Sequence, residues 1–248
     1  MFVSLMMSAA LACTPAPGGA PASRMVEDST NVRGLPVLEL RPTRPAAHTL
    51  VIFLSGDGGW ADLDEKIGQR LQSRGVFVIG FDMRDYLRGG KRTPASTAYD
   101  VSRVARRYMA LWQLDSIAIV GYSRGADVAP FVANRMSSDV RPRLSLIGML
   151  TLLERASFVY HFSDLWRMTS GSGDTPITPE LQQLAQTKMR MLCIYGKDEK
   201  ESLCRTAPAG LMTVIQRDGK HHFDGNYDAI ADILYQALVP SPKTPARS

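Results

Sequence analysis

Ile117-Ala118-Ile119-Val120-Gly121-Tyr122-Ser123-Arg124-Gly125 is the stretch that decides the fold. An apolar run followed at once by G-x-S-x-G forces a strand into a helix through a sharp turn, and small flanking residues let the two backbones pass. The Ser123 hydroxyl then stands exposed at the carboxyl edge of a sheet, with the next backbone N–H pointing into the same space. Ala126-Asp127-Val128-Ala129-Pro130-Phe131-Val132-Ala133 supplies the helix the turn requires, although Pro130 should cost it one hydrogen bond.

Outward from this turn, short apolar runs alternate with helical stretches, the pattern of a parallel sheet with crossover helices. Strands are expected over residues 37–40, 50–54, 76–81, 117–120, 144–150, 191–195 and 211–215. Helices are expected over 63–73, 97–112, 125–135 and 227–238. Val101, Val104, Ala105, Tyr108, Met109 and Trp112 recur at helical spacing and read as core. Residues 158–173, aromatic and then rich in Ser and Gly, break the alternation and are expected to form a lid or substrate wall.

A serine hydroxyl is a weak nucleophile until a histidine takes its proton and an acid orients that histidine. In this strand order the acid and then the histidine should follow the serine. Gly196-Lys197-Asp198-Glu199 comes after the run 191–195 and offers two carboxylates. Glu199 is favoured, because the acid commonly stands third after the post-strand glycine, and Asp198 is the alternative. Gly219-Lys220-His221-His222-Phe223-Asp224-Gly225 comes after the next run, and its G-x-H-x-F pattern favours His221, with His222 the alternative. His48 and His161 fall outside the required order.

Ester chemistry also needs two N–H donors for the developing oxyanion. Leu54-Ser55-Gly56-Asp57-Gly58-Gly59-Trp60 follows a buried run, where the glycines let backbone approach a substrate. The N–H groups of Asp57 and Arg124 are the expected donors. A carboxylate beside developing negative charge is unusual, so Asp57 reads either as a turn former or as the holder of a substrate cation. Gly56, Asp57, Trp60 and Arg124 are expected to line the substrate site.

With 248 residues, 45% hydrophobic and 21% charged, the chain suits one globular domain rather than two. The net charge of +5 is concentrated, with Arg84, Arg88, Lys91 and Arg92 preceding Arg103, Arg106 and Arg107. Such a patch suits phosphate head groups or an anionic membrane surface. Nucleic acid is not expected, since no binding motif accompanies the charge. Without C-x-x-C or H-x-x-x-H spacing, neither a metal nor another cofactor is expected.

Residues 1–12 read as a signal peptide, with an apolar run too short to span a bilayer and Ala10-Leu11-Ala12 as the cleavage site. Cys13 follows directly, so the same residues form an imperfect lipobox that would lipidate Cys13. Residues 13–34 form a flexible tether, 35–240 the folded domain and 241–248 a polar tail. Cys193 and Cys204 remain as a pair that could close a short disulfide in an oxidising compartment.

The segments Leu54–Trp60, Gly121–Phe131 and Gly219–Gly225 together resemble the VirJ/AcvB bacterial virulence protein family. The resemblance runs over roughly residues 35–238. It implies a periplasmic protein with an α/β-hydrolase fold, a mostly parallel central sheet covered by helices on both faces. It also implies hydrolysis of aminoacylated phosphatidylglycerol, notably the lysyl lipid, with Ser123 as nucleophile, His221 or His222 as base and Glu199 or Asp198 as acid. Some members are described as partners of secretion machinery, so secretion-system components are expected partners too. The chain departs from the family at Arg124, usually an aromatic residue, and over Tyr86-Leu87-Arg88-Gly89-Gly90. On this reading Asp57 would bind the lipid's ammonium group while Arg124 or the arginine patch faces its phosphate.

Overall fold

The computed structural model describes residues 30–160 and 174–239. Segments 1–29, 161–173 and 240–248 lie outside the described residues, and with them Cys13, His161, the signal peptide, the polar tail and most of the expected lid.

A seven-stranded sheet runs in the order β1-β3-β2-β4-β5-β8-β9. Its strands are β1 (Val37–Leu40), β2 (Thr49–Leu54), β3 (Phe77–Phe81), β4 (Ser116–Tyr122), β5 (Leu144–Leu150), β8 (Met191–Gly196) and β9 (Thr213–Arg217). β1 pairs antiparallel with β3, and every other pairing is parallel. A separate hairpin joins β6 (Arg155–Ala156) to β7 (Thr175–Pro176).

The central strands are buried on both sides, and their alternating residues enter two different cores. Leu50, Ile52 and Leu54 of β2 pack with helices α3 (Pro94–Trp112), α4 (Arg124–Arg135) and α5 (Thr178–Gln186). Val51 and Phe53 pack on the opposite face with α1 (Asp62–Ser73) and α6 (Tyr227–Leu238). This double burial explains why the strands read as continuous apolar runs rather than as alternating ones.

The topology places the site. β2 leads through α1 to β3 on one side, whereas β4 leads through α4 to β5 on the other. The connections diverge between β2 and β4, opening a crevice beyond their carboxyl ends. Leu54 pairs with Gly121, so the loop after β2 and the turn holding Ser123 leave the sheet side by side.

Helix α3 begins at Pro94, earlier than its apolar spacing predicts, because Thr93 and Ser96 form a reciprocal capping box. The short α2 (Met83–Arg88) is capped by the Asp82 side chain, which accepts the Asp85 N–H. Both α2 and α5 are too short to announce themselves by periodicity. α4 continues through Pro130, as the strand-turn-helix reading requires.

Candidate active site

Ser123 occupies the turn between β4 and α4 with φ 51° and ψ −118°, a conformation rarely adopted outside glycine. Its N–H donates to Leu150 O at 2.9 Å, and its carbonyl accepts the Asp127 N–H at 3.0 Å. The flanking glycines are steric necessities. A Cβ on Gly121 would lie 2.3 Å from the Gly125 carbonyl, and one on Gly125 would lie 2.1 Å from Leu54 O. No side chain fits either gap.

The structure brings Ser123, His221 and Glu199 into one chain of contacts. His221 Nε2 lies 2.9 Å from Ser123 Oγ, and His221 Nδ1 lies 2.7 Å from Glu199 Oε1. The tautomer that satisfies both contacts has Nδ1–H donating to Glu199 and Nε2 accepting the serine proton. Glu199 is largely buried, its side chain 9% exposed, so its negative charge faces His221 with little water between them. Asp198 points into solvent, although its backbone N–H holds Gly219 O at 3.1 Å. His222 lies 3.1 Å from the Tyr122 hydroxyl through Nδ1, away from the serine contact. Loss of solvent around its ring, and then the neighbouring His221, push the His222 pKa down.

The loop carrying Glu199 is held from two directions. Cys193 in β8 is disulfide-bonded to Cys204 in the 3-10 turn Leu203–Arg205, enclosing the loop that carries Glu199. Ser202 Oγ and the Leu203 N–H both donate to Leu152 O, tying that loop to the segment after β5. Leu153, next in that segment, donates its N–H to Oδ1 of the buried Asp127 carboxyl group at 2.9 Å, which links it to the helix that follows Ser123. Burial raises the Asp127 pKa to about 8.

The loop after β2 borders the nucleophile, since a Cβ on Gly56 would lie 3.4 Å from Ser123 Cβ. From sequence, Asp57 reads as a turn former or a cation holder, and Arg124 or the arginine patch as facing a phosphate; here the Asp57 and Arg124 side chains are paired with each other. Arg124 Nε donates to Asp57 Oδ1 at 2.5 Å, Nη2 to Oδ2 at 3.2 Å, and Nη1 to Ser157 O at 3.4 Å. The contact is a charge-assisted, two-pronged pair. Trp60 does not reach the substrate side. Its ring slots between Gly68 and Gly80, meets Phe53 edge-on at 5.5 Å, and joins the core formed with α1 and α6.

The arginine patch is also partly neutralised. Arg103 pairs with Asp100 at 2.8 Å, Arg106 with Asp139 at 2.6 Å, and Arg92 stacks over the Tyr86 ring at 4.3 Å. Arg88, Lys91 and Arg107 stay exposed. Among the described residues no helix is long and apolar enough to cross a membrane.

Solved structures of similar fold define the class. Est1E from Butyrivibrio proteoclasticus matches with a TM-score of 0.56 at 12% identity, covering 82% of this chain and 93% of that one. An alpha-beta serine hydrolase homologue from Coxiella burnetii matches at 0.55 and 15% identity, covering 82% and 91%. A lipase-esterase related protein from Clostridium acetobutylicum matches at 0.55 and 14%, covering 83% and 99%. The fold is therefore that of the α/β hydrolases. A search of curated proteins finds no match. The family model described as bacterial virulence protein (VirJ) matches residues 48–241, and the chain belongs to that family.

Proposed function

We propose that this protein is an exported serine carboxylic-ester hydrolase that works through an acyl-enzyme. The observation that carries the reading is the Ser123–His221–Glu199 chain, with contacts of 2.9 and 2.7 Å, at the divergence point of the sheet. Ser123 Oγ attacks the ester carbonyl as its proton passes to His221 Nε2, and Glu199 stabilises the imidazolium that results. The carbonyl oxygen becomes an oxyanion held by the backbone N–H groups of Asp57 and Arg124. Collapse breaks the C–O bond, and His221 returns the proton to the departing alcohol. Water then attacks the acyl-serine with the same residues acting in reverse order.

The finer substrate reading is the aminoacyl ester of a membrane phospholipid, such as lysyl-phosphatidylglycerol. It rests on the likeness of Leu54–Trp60 and Gly121–Phe131 to the VirJ/AcvB motifs. Exposed Arg88, Lys91 and Arg107 would attract the anionic membrane that carries such a lipid. A disulfide beside the acid loop supports an oxidising compartment, the periplasm.

A fluorophosphonate probe tests the chemistry, with labelling of wild type but not of Ser123→Ala expected. Release of free lysine from lysyl-phosphatidylglycerol in mixed micelles tests the substrate. A folded wild type that takes no label would remove the hydrolase reading and leave a binding role toward secretion components.

A further inference from the structure

We infer that the Asp57–Arg124 ion pair is a clamp that sets the spacing of the two oxyanion donors, which makes both side chains positioning residues rather than substrate ligands. The inference rests on the serine-hydrolase reading above and extends it to how the oxyanion hole is held.

The hole would be assembled from two segments that leave the sheet in different directions. Arg124 is the first residue of α4, where backbone N–H groups lack intrahelical partners. Asp57 sits at the apex of the turn closed by the Gly59 N–H donating to Gly56 O at 3.1 Å. The other anchors of that turn run toward β3 and α2, away from the nucleophile. Ser55 N–H donates to Phe81 O at 3.0 Å, Met83 N–H to Ser55 Oγ at 3.0 Å, and Trp60 N–H to Asp82 Oδ2 at 2.9 Å. The Asp57 carboxylate reaches the opposite way, to the helix that begins just after Ser123.

Geometry and burial both suit a clamp. The contact uses two guanidinium nitrogens and two carboxylate oxygens, so it fixes orientation as well as distance. Arg124 is 7% exposed and Asp57 30%, which limits screening by solvent. Nη1 of Arg124 also reaches Ser157 O, bracing the guanidinium against the segment after β5. A ligand phosphate would compete with Asp57 for the guanidinium, and a ligand ammonium with Arg124 for the carboxylate.

The pairing also resolves an electrostatic difficulty. An unpaired carboxylate here would oppose the negative charge that grows on the carbonyl oxygen. With the Arg124 guanidinium across it, the pair is neutral overall, which weakens that opposition to the adjacent N–H dipoles.

The test is a double-mutant cycle on the whole exported protein with a neutral ester, p-nitrophenyl acetate, alongside fluorophosphonate labelling and thermal melts. Asp57→Asn and Arg124→Gln should each lower kcat by about 10- to 100-fold, toward the loss of one oxyanion donor, with KM little changed. The double variant should be no worse than either single, because each change breaks the same contact. Labelling at Ser123 should slow in parallel, since the phosphoryl oxygen enters the same hole. Wild-type kcat in folded variants, fully additive losses, or a loss confined to KM for an aminoacyl ester would each overturn the clamp. Should Arg124→Gln fail to fold, Asp57→Asn alone decides by its kcat. Labelling of wild type is read first, so an inert wild type overturns the hydrolase reading, and the clamp falls with it rather than by its own measurement.

Discussion

The Tyr122 hydroxyl lies 3.1 Å from His222 Nδ1 and 3.3 Å from the carbonyl of His221. The residue before the nucleophile therefore grips the turn that carries both histidines, and it holds one by its ring and the other by its backbone. On the proposed mechanism His221→Ala should lose about as much activity as Ser123→Ala, since both residues would serve one proton transfer. His222→Ala should lose far less, through a looser turn rather than a missing base. Steady-state kinetics on a neutral ester separates them, and equal mild losses would place the base elsewhere.

Ser123→Ala should remove ester hydrolysis, by about 10³-fold or more in kcat, with the fold retained. The backbone there adds a second expectation. With φ at 51°, any side chain is strained, and glycine relieves that strain. Ser123→Gly should be equally inactive yet more stable than Ser123→Ala, by about 1 kcal/mol in chemical denaturation. A glycine variant less stable than the alanine one would contradict the strain.

The Cys193–Cys204 bond should matter more to catalysis than to global stability. Closing a loop this short contributes about 2–3 kcal/mol by chain entropy, but that loop carries Glu199. Cys204→Ala should therefore remain folded at room temperature while its kcat falls well below wild type. Peptide mapping without reduction should find the link in wild type, and two free thiols in protein from the periplasm would refute it.

Stability should fall as pH rises toward 8. Asp127 is buried and its pKa is raised from 3.8 to about 8, so the folded protein keeps a proton that the unfolded chain releases. Between those values the native state binds more protons, and its advantage shrinks with each step upward. Asp127→Asn keeps an oxygen to accept the Leu153 N–H and cannot ionise. Its unfolding free energy should decline less between about pH 5 and pH 8, by up to about 1.4 kcal/mol per pH unit. Parallel pH profiles for the two proteins would show that Asp127 does not titrate in this window.

Much of the site was readable because its parts obey local rules. The glycines around Ser123 answer to steric gaps too narrow for any Cβ, and the order serine, acid, histidine follows from strand order. Sequence position favours His221 over His222 and Glu199 over Asp198 without excluding either alternative, because adjacent residues on a turn point apart in ways that spacing does not encode. The Asp57–Arg124 contact joins residues 67 positions apart, and no pattern in either segment announces it. Trp60 misled for a related reason. An aromatic beside glycines looks like a pocket wall until Gly68 in α1 and Gly80 in β3 turn out to form its slot. The last strand lies at Thr213–Arg217 rather than 211–215, because Leu211 still belongs to the turn closed onto Pro208.

The short span of the disulfide governs how the protein can oxidise. Cys193 and Cys204 are 11 residues apart, whereas Cys13 lies 180 residues before the nearer of them. Closing the longer loop costs about 2.5 kcal/mol more in chain entropy, so the native pair outcompetes either alternative even in an unstructured chain. An emerging polypeptide can make this bond before His221 has arrived beside it. Correct pairing then calls for an electron acceptor but no shuffling isomerase, and the acid's loop is closed before the base docks against it.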